Sequence, residues 1–594
     1  MREISPAKLF PTPPVVRFGP EQEHCPCGGL PVVQKTRRKT LLSTTGPFIA
    51  HETLTQCPDC HRTFGSEALR HLVPRCCNVG YDLLVFVGVA LFRRHRSIAE
   101  VRAELVVRNI GLSSSEIDYL GRKFITQLAL AHRQAAPRIR EAMITAGGYI
   151  LHLDATVDGD SPALMTGIDS LSQFVLANVK LPSEHADHII PFLRGLKSQY
   201  GTPLACVHDM GTGIGKAVAA VFPDVHDFIC HFHFLRDIGK DYLEPAYARL
   251  RRCLRGNATS TGLHGLAREM RQLLAGESAS CKPQAEAIVA GALIVEDIRL
   301  MPLTTAYSLA LWALQGKQHG DGYGFPFDRP LLEFTQRMLT LDNLIPQLQD
   351  LLAKSEEPPE SQPLFKLLTQ ACYLAEDQEA VQAVEELRWR GEVFDRLRTA
   401  MRIAQAGGGN GLNDEGTDEA MATIRQRVQA FRQELDTNPK LASDSLSKKM
   451  AKQIDKYGEK LFADPITVEV PAGPVTIYPQ RTNNILEQFF RNVKRGYRRK
   501  TGNNTMRRAL QTMLADTPLV KNLDNPQYMK ILLEGKANLE ELFASLDAAS
   551  LKETEQPGDN DRILPGFRPL IHLDDLPGQI FKSLGAYPES AKSN

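Results

Sequence analysis

The chain has no run of about 18 apolar residues, so no membrane-spanning helix is expected. Its first residues, MREISPAKLFPTPP, lack the apolar core of a secretory leader. A cytoplasmic location, away from membranes, is therefore expected. In that reducing compartment the eleven cysteines are more readily metal ligands or buried thiols than disulfides. Net charge is also scarce: 70 Lys and Arg stand against 69 Asp and Glu, leaving +1. Any affinity for nucleic acid must then come from local clusters of cations. A complete phosphate-binding loop is missing too. In VHDMGTGIGKAVAAVF (207–222), Gly211 and Gly215 are one residue too close for G-x-x-x-x-G-K-[ST], and Ala217 fills the hydroxyl position. A nucleotide-binding enzyme comes last among the readings, and ATP binding is its test.

What is present is a 594-residue chain, 43% hydrophobic and 23% charged, long enough for several globular domains. Six cysteines fall between Cys25 and Cys77. Cys25-Pro26-Cys27 and Cys57-Pro58-Asp59-Cys60 flank a stretch of β-formers with one turn at Thr45-Gly46-Pro47, which reads as a hairpin. Two cysteine pairs joined by a hairpin suit a zinc ribbon over 20–80, with Zn²⁺ as a structural ion on Cys25, Cys27, Cys57 and Cys60. His24 or His61 is an alternative ligand. Cys76 and Cys77 are adjacent, a poor arrangement for chelating one ion, and are left out.

Residues 81–145 turn helical. SIAEVRAELVVRNIGLSSSEIDYLGRKFI reads as helix, turn at Gly111, then a second helix capped by Ser113–Ser115. As a helix-turn-helix it offers Ser114, Tyr119, Arg122 and Lys123 to DNA; a helical hairpin with solvated charges fits the same pattern. From 148 to 240 the period changes. GGYILHLDAT, PALMTGIDS and QFVLANVKL read as a three-strand meander, followed by a helix at about 183–200. TPLACVHD is a fourth strand, GTGIGKAVAAVF a helix whose glycines give a flexible entry, and HDFICHFH a fifth strand. Together they make a mixed sheet. Residues 241–460 are helical throughout, interrupted by AGGGNG at 406–411. Residues 461–520 hold a hairpin, ADPITVEVPAGPVTIYPQ, and a basic helix. From Lys521 to the end, 521–594, the pattern is polar and reads as a loosely packed tail.

Asp154 ends the first strand and Asp209 the fourth. Sites in open α/β sheets form beyond the carboxyl ends of strands, and a meander followed by a crossover sets strands one and four side by side. Two converging carboxylates repel unless a divalent cation neutralises them, and Mg²⁺ suits oxygen donors. Asp158, Asp160 and Asp169 are alternatives to Asp154, but they lie in turns. In TNNILEQFFRNVKRG, Ile485, Leu486, Phe489, Phe490 and Val493 share one helix face, and Glu487 lies on the other with Asn483, Asn484, Arg491 and Lys494. An i,i+4 salt bridge is the ordinary reading of Glu487; a third carboxylate of a metal site is the functional one. Arg491, Lys494, Arg495, Arg498, Arg499 and Lys500 supply the local positive charge that DNA phosphates need, or else a solvated face.

HLDAT, VHDMGTGIGKAVAAVFPDVHDFICHFHFLRDI and RTNNILEQFFRNVKR, in that order, resemble the three blocks of bacterial DDE transposases of the Mutator-like, C-x-x-H group. The resemblance covers about 148–240 and 466–504. It implies an α/β fold: an RNase H-like mixed sheet with a large α-helical insertion, preceded by a zinc ribbon and a helix-turn-helix domain. It implies a catalytic triad of Asp154, Asp209 and Glu487 on Mg²⁺ or Mn²⁺, and it matches C-x-x-H through Cys230 and His233 as supporting residues. The implied partners are double-stranded DNA, as terminal inverted repeats and target, and further copies of the chain, at the nucleoid. Two rivals share the fold: a DNA-binding regulator without catalysis, and a nuclease that cuts without joining. Trp312 reads as core, and Tyr323, Phe325 and Phe327 as candidate stacking partners for an unpaired base.

Overall fold

The computed structural model describes residues 12–74, 77–292, 298–353, 362–404, 420–546 and 579–580. The chain divides into two compact units, Met1–Ile139 with Lys494–Asn594, and Arg140–Val493. The segment 461–520, expected as one piece, is therefore shared between them.

In the first unit, strands β1 (Val15–Phe18), β2 (Val32–Ser43), β3 (Gly46–Gln56) and β4 (Thr63–Phe64) form one sheet. Its order is β1-β3-β2, with β4 on β3. The expected hairpin is β2–β3, closed at Ser43↔Gly46, where Gly46 has φ +121° and takes the backbone shape that favours glycine. Two small clusters hold the ribbon: Cys25, Cys57 and Phe64 at one end, Leu41, Ala50 and Val73 at the other. Asp82 accepts hydrogen bonds from the Ser43 hydroxyl and from the N–H and hydroxyl of Thr44, pinning the turn to the helix Tyr81–Gly88. Glu21 accepts from the N–H groups of Ala68 and Glu67 at the start of the helix Glu67–Leu72. Those bonds hold its carboxyl down at about 2.

The helix Tyr81–Gly88 runs on as one π-helical turn, Val89–Arg93. Ile98–Val107 follows behind a complete capping box of Ser97 and Glu100, and then the long helix Ser114–Thr145. The loose packing expected from Lys521 onward does not hold between 521 and 546. Short helices at Thr517–Asp524, Pro526–Leu533 and Leu539–Ala544 bury Tyr528 and Phe543 completely. The Tyr528 hydroxyl bonds His132 Nδ1 at 2.8 Å, and Phe543 meets Phe124 edge-on at 5.7 Å. Apolar residues at helical spacing outweigh the polar average of this stretch.

In the second unit, β5 (Ile150–Thr156), β6 (Ala163–Asp169), β7 (Val175–Leu181), β8 (Ala205–His208) and β9 (His226–Ile229) form a five-stranded mixed sheet of order β7-β6-β5-β8-β9. β6 is antiparallel to both neighbours, while β5, β8 and β9 are parallel. Helices Ala186–Tyr200 and Thr212–Val221 make the crossovers around β8. A run of helices from His231–Gly256 to Ser445–Leu461 forms the insertion, with one continuous core that includes Ile229 and Cys230. Residues 406–411 lie outside the described residues. The hairpin β10 (Ile466–Val470) and β11 (Gly473–Ile477) sends Ile477 into a cluster with Ile150, Ala205, Val207 and Phe228 of the sheet. The helix Asn484–Thr501 follows.

Candidate functional site

Strands β5 and β8 are neighbours, and their last paired residues are Leu153 and His208. Asp154 and Asp209 each come one residue later, so the two carboxylates leave the same end of adjacent parallel strands. Asp154 accepts from the Ala155 N–H at 2.8 Å, and Asp209 from the Gly211 N–H at 2.9 Å. Burial raises the Asp154 carboxyl to about 7, and the charges of Asp209, Glu487 and Glu184 add to that rise; the Ala155 N–H opposes it. Burial also raises Glu487, against the pull of Arg236 and Arg491. Asp154 thus feels both of the other acids expected from sequence, although they come from distant parts of the chain.

Cys230 and Asn483 explain how Glu487 is held there. The expected fifth strand stops at Ile229; Cys230 caps the helix that starts at His231, which places His233 in its first turn. The Asn483 N–H donates to the Cys230 sulfur at 3.1 Å. Its side-chain amide donates to the Leu153 carbonyl at 3.0 Å, and its Oδ1 lies 3.0 Å from His152 Nδ1. One buried residue therefore ties the start of the Glu487 helix to β5, next to Asp154, and to the junction after β9. His233 Nε2 lies 3.5 Å from Glu487 Oε1. Burial, with the charge of Arg236, lowers His233 to about 4, so its ring is neutral near pH 7. Behind Asp209, His208 Nε2 sits 2.6 Å from Asp227, which also pairs with Lys460 of the last insertion helix. Burial alone would raise Asp227; His208 and Lys460 outweigh it and hold the carboxyl low.

Glu184 joins the acids without any signal in the sequence. Burial raises its carboxyl, as does the charge of Asp209. It precedes the helix Ala186–Tyr200 in a loop, with no periodicity to mark it. Among the glycines after Asp209, Gly213 serves packing rather than flexibility. A Cβ on Gly213 would stand 1.9 Å from the Glu184 carbonyl oxygen, so only glycine lets that backbone approach. Asp169 is taken up in its turn, accepting from Ile150, Leu171 and Ser172 N–H groups at 2.9–3.1 Å.

The four ribbon cysteines form a second site. Cys25 and Cys60 sulfurs are 3.4 Å apart, and Cys27 and Cys57 sulfurs 3.5 Å. All four lie within 4.8 Å of one another. Tetrahedral Zn–S bonds require sulfurs about 3.8 Å apart, so this set can hold a metal ion such as zinc. Tight turns present each pair: Gly28 N–H bonds the Cys25 carbonyl at 2.8 Å, and His61 N–H the Cys57 carbonyl at 2.9 Å. Neither His24 nor His61 belongs to the group. Cys76 lies outside the described residues. Among the described residues this is the only group of three or more His, Cys, Asp or Glu so close together; Asp154, Asp209 and Glu487 do not all come within that distance.

Tyr119 is exposed on the helix Ser114–Thr145. Arg122 pairs with Asp118 at 3.0 Å, and the Lys123 ammonium lies 6.0 Å from the Tyr119 ring. Arg491, Lys494, Arg495, Arg498 and Arg499 are all exposed. Lys500 is half-buried over Phe92. The core reading of Trp312 fails: it is 41% exposed, with the Arg337 guanidinium over its ring. Phe327 stacks on Phe232, Phe325 stacks on Tyr247, and Tyr323 meets Phe327 edge-on at 6.1 Å, so all three expected base-stacking rings are already engaged. No helix among the described residues is long and apolar enough to cross a membrane. No protein-family model matches the chain, and no curated protein matches it.

Proposed function

We propose that this chain is a DNA transposase whose acidic triad is Asp154, Asp209 and Glu487. The supporting observation is that the charges of Asp209 and Glu487, from two other sequence blocks, raise the buried Asp154 carboxyl. The strand order β7-β6-β5-β8-β9, with β6 antiparallel, supports an RNase H-like reading of the sheet. Carboxylates are hard oxygen donors of the kind Mg²⁺ or Mn²⁺ takes, and a cation would relieve the charge of Asp209 and Glu487 on Asp154. Bound there, such an ion supplies charge neutralisation at the phosphodiester. Asp154, Asp209 and Glu487 would hold it.

Asn483 fixes the Glu487 helix, and neutral His233 buttresses the Glu487 carboxylate. The exposed cations from Arg491 to Arg499 hold DNA phosphates. Water attacks the phosphodiester at an element end, and the freed 3′-hydroxyl then attacks target DNA. Each step exchanges one P–O bond for another, and the nucleophile gives up its proton. Binding of terminal repeats falls to the ribbon and the helical pair, with Tyr119, Arg122 and Lys123 facing DNA. Two copies or more bring two ends together.

One observation favours a regulator without catalysis: the three carboxylates are not gathered within 4.8 Å. A cleavage and joining assay on DNA from the gene's own flanks, with Mg²⁺ or Mn²⁺, decides between them. Wild type should cut and join, and Asp154→Ala, Asp209→Ala and Glu487→Ala should each lose about a hundredfold or more. Binding without cleavage by folded wild type overturns the transposase; cutting without joining leaves a nuclease.

A further inference from the structure

Three buried residues, Arg481, Thr482 and Asn483, lead into the Glu487 helix, none of them more than 2% exposed. Asn483 is held by the sheet, through the Leu153 carbonyl. Arg481 is held elsewhere, and it caps two helices at once. Its main-chain carbonyl accepts from the N–H of His231, the first residue of the helix that carries His233. That N–H is one of four that a helix start leaves without an internal partner. The Arg481 guanidinium goes to the insertion: Nη1 donates to the Met401 carbonyl at 2.9 Å, and Nη2 reaches the Arg402 carbonyl at 3.5 Å. Those two residues end the helix Gln378–Met401, where Arg402 is the cap at φ +52°. Carbonyls of a last turn lack internal partners and form the negative end of the helix dipole, so a cation suits them. The same last turn is connected to His233. Arg398 is buried over Phe327 at 5.4 Å, Phe327 stacks on Phe232 at 4.8 Å, and Phe232 precedes His233. One helix end is thus linked to both members of the His233–Glu487 pair. A second insertion helix is seated beside it. Burial, with the charge of Arg481, lowers His231 to about 3, and its neutral ring bonds the Leu461 carbonyl at the end of Ser445–Leu461.

We infer that Arg481 is a positioning residue: by bridging the end of Gln378–Met401 to the start of the His233 helix, it sets where Glu487 stands. The insertion, and not the sheet alone, then delivers the third acid. A guanidinium suits this place better than any other side chain. Its planar fork can donate to two carbonyls of consecutive residues, whereas an ammonium is a point donor. A buried cation is costly unless such partners replace its lost water, so Arg481 is tied to this one seat. The alternative role is general stabilisation of the unit by a buried cap, with no particular hold on Glu487. The inference rests on the transposase reading only in taking Glu487 for a functional acid; the seat itself does not.

Hydrogen exchange of the full chain, followed by mass spectrometry, tests this without activity or metal. In Arg481→Gln the amides of 484–490 should exchange about tenfold faster than in wild type, while those of β5 and β8 keep their rates. In Arg481→Ala the same acceleration should be reversed by about 20 mM guanidinium chloride, far below denaturing strength, and not by sodium chloride. If either variant has a lowered thermal midpoint, Arg481→Lys decides: it keeps the charge, cannot hold both carbonyls, and should loosen 484–490 alone. Unchanged exchange at 484–490, or an equal rise across the whole unit, overturns the inference and leaves Arg481 a general stabiliser. Cleavage separates this result from the reading it leans on. If wild type cuts DNA, Arg481→Gln should lower kcat about tenfold at unchanged KM, and an unchanged kcat overturns the positioning role. If wild type does not cut, the transposase reading falls, and exchange alone decides the seat.

Discussion

Gly213 and Gly215 sit two residues apart in the same helix, with opposite consequences. A methyl group on Gly213 would run into the Glu184 carbonyl, which is backbone and cannot swing away. Overpacking of that kind costs about 1–3 kcal/mol. The same methyl on Gly215 meets only a carbon of the His208 ring at 3.7 Å, an ordinary contact. There alanine gains up to about 1 kcal/mol of helix propensity. Urea unfolding should therefore move to a lower midpoint for Gly213→Ala and stay level or rise for Gly215→Ala. Equal shifts would mean that the Glu184 loop yields freely. The contrast marks what sequence can and cannot disclose. Asp154 and Asp209 are legible because each follows an apolar run, although β5 continues past Asp154 to Thr156 while β8 ends at His208. Glu184 follows no pattern, and its nearness to Asp209 depends on a backbone approach that only a folded chain displays.

Among the elements, the ribbon depends most on something besides its own side chains. At its cysteine end the buried cluster is Cys25, Cys57 and Phe64, too little apolar surface to hold two long strands. Metal binding can supply the difference, since structural zinc contributes on the order of 10–16 kcal/mol at such sites. Chelation, or Cys57→Ser, should make residues 25–64 readily cleaved by protease. The helices and the five-stranded sheet should stay resistant. A ribbon equally resistant without metal would show that strand pairing alone suffices. The five strands of the mixed sheet are legible as short apolar runs bounded by turn residues, whereas β1 and β4 of the ribbon carry no such mark. The junction after β9 is harder: HDFICHFH looks extended throughout, but the chain turns into helix from His231, with Cys230 at the cap position and no side-chain capping bond to signal it. The short helices between 517 and 546 are harder still. Their burial comes from a few residues, such as Tyr528 and Phe543, that an average over a polar stretch conceals.

At the scale of the whole molecule, the insertion looks separable by sequence, as a helical block between two pieces of a sheet, but its packing is shared with the site. Gly239, on the helix that begins beside Cys230, is hemmed in by Phe394 and Pro326; a Cβ there would lie 2.5 Å from the Phe394 ring. Arg390 makes two hydrogen bonds to Asp444, at 2.9 and 3.0 Å, and the Tyr242 hydroxyl bonds Ser447 at 3.1 Å. Lys460 carries the connection back to Asp227 and His208, next to Asp209. Cutting out 257–438 would uncover much of Phe234, Leu235, Ile238, Tyr242, Leu243 and Leu250, all buried in that common core. At about 1.5–3 kcal/mol for each side chain, the loss matches the whole stability of a typical domain, about 5–15 kcal/mol. The deleted chain should therefore fail to fold, losing its cooperative thermal transition, while Asp154→Asn keeps one. A deletion that melts cooperatively and still places Glu487 against His233 would make the insertion an independent domain.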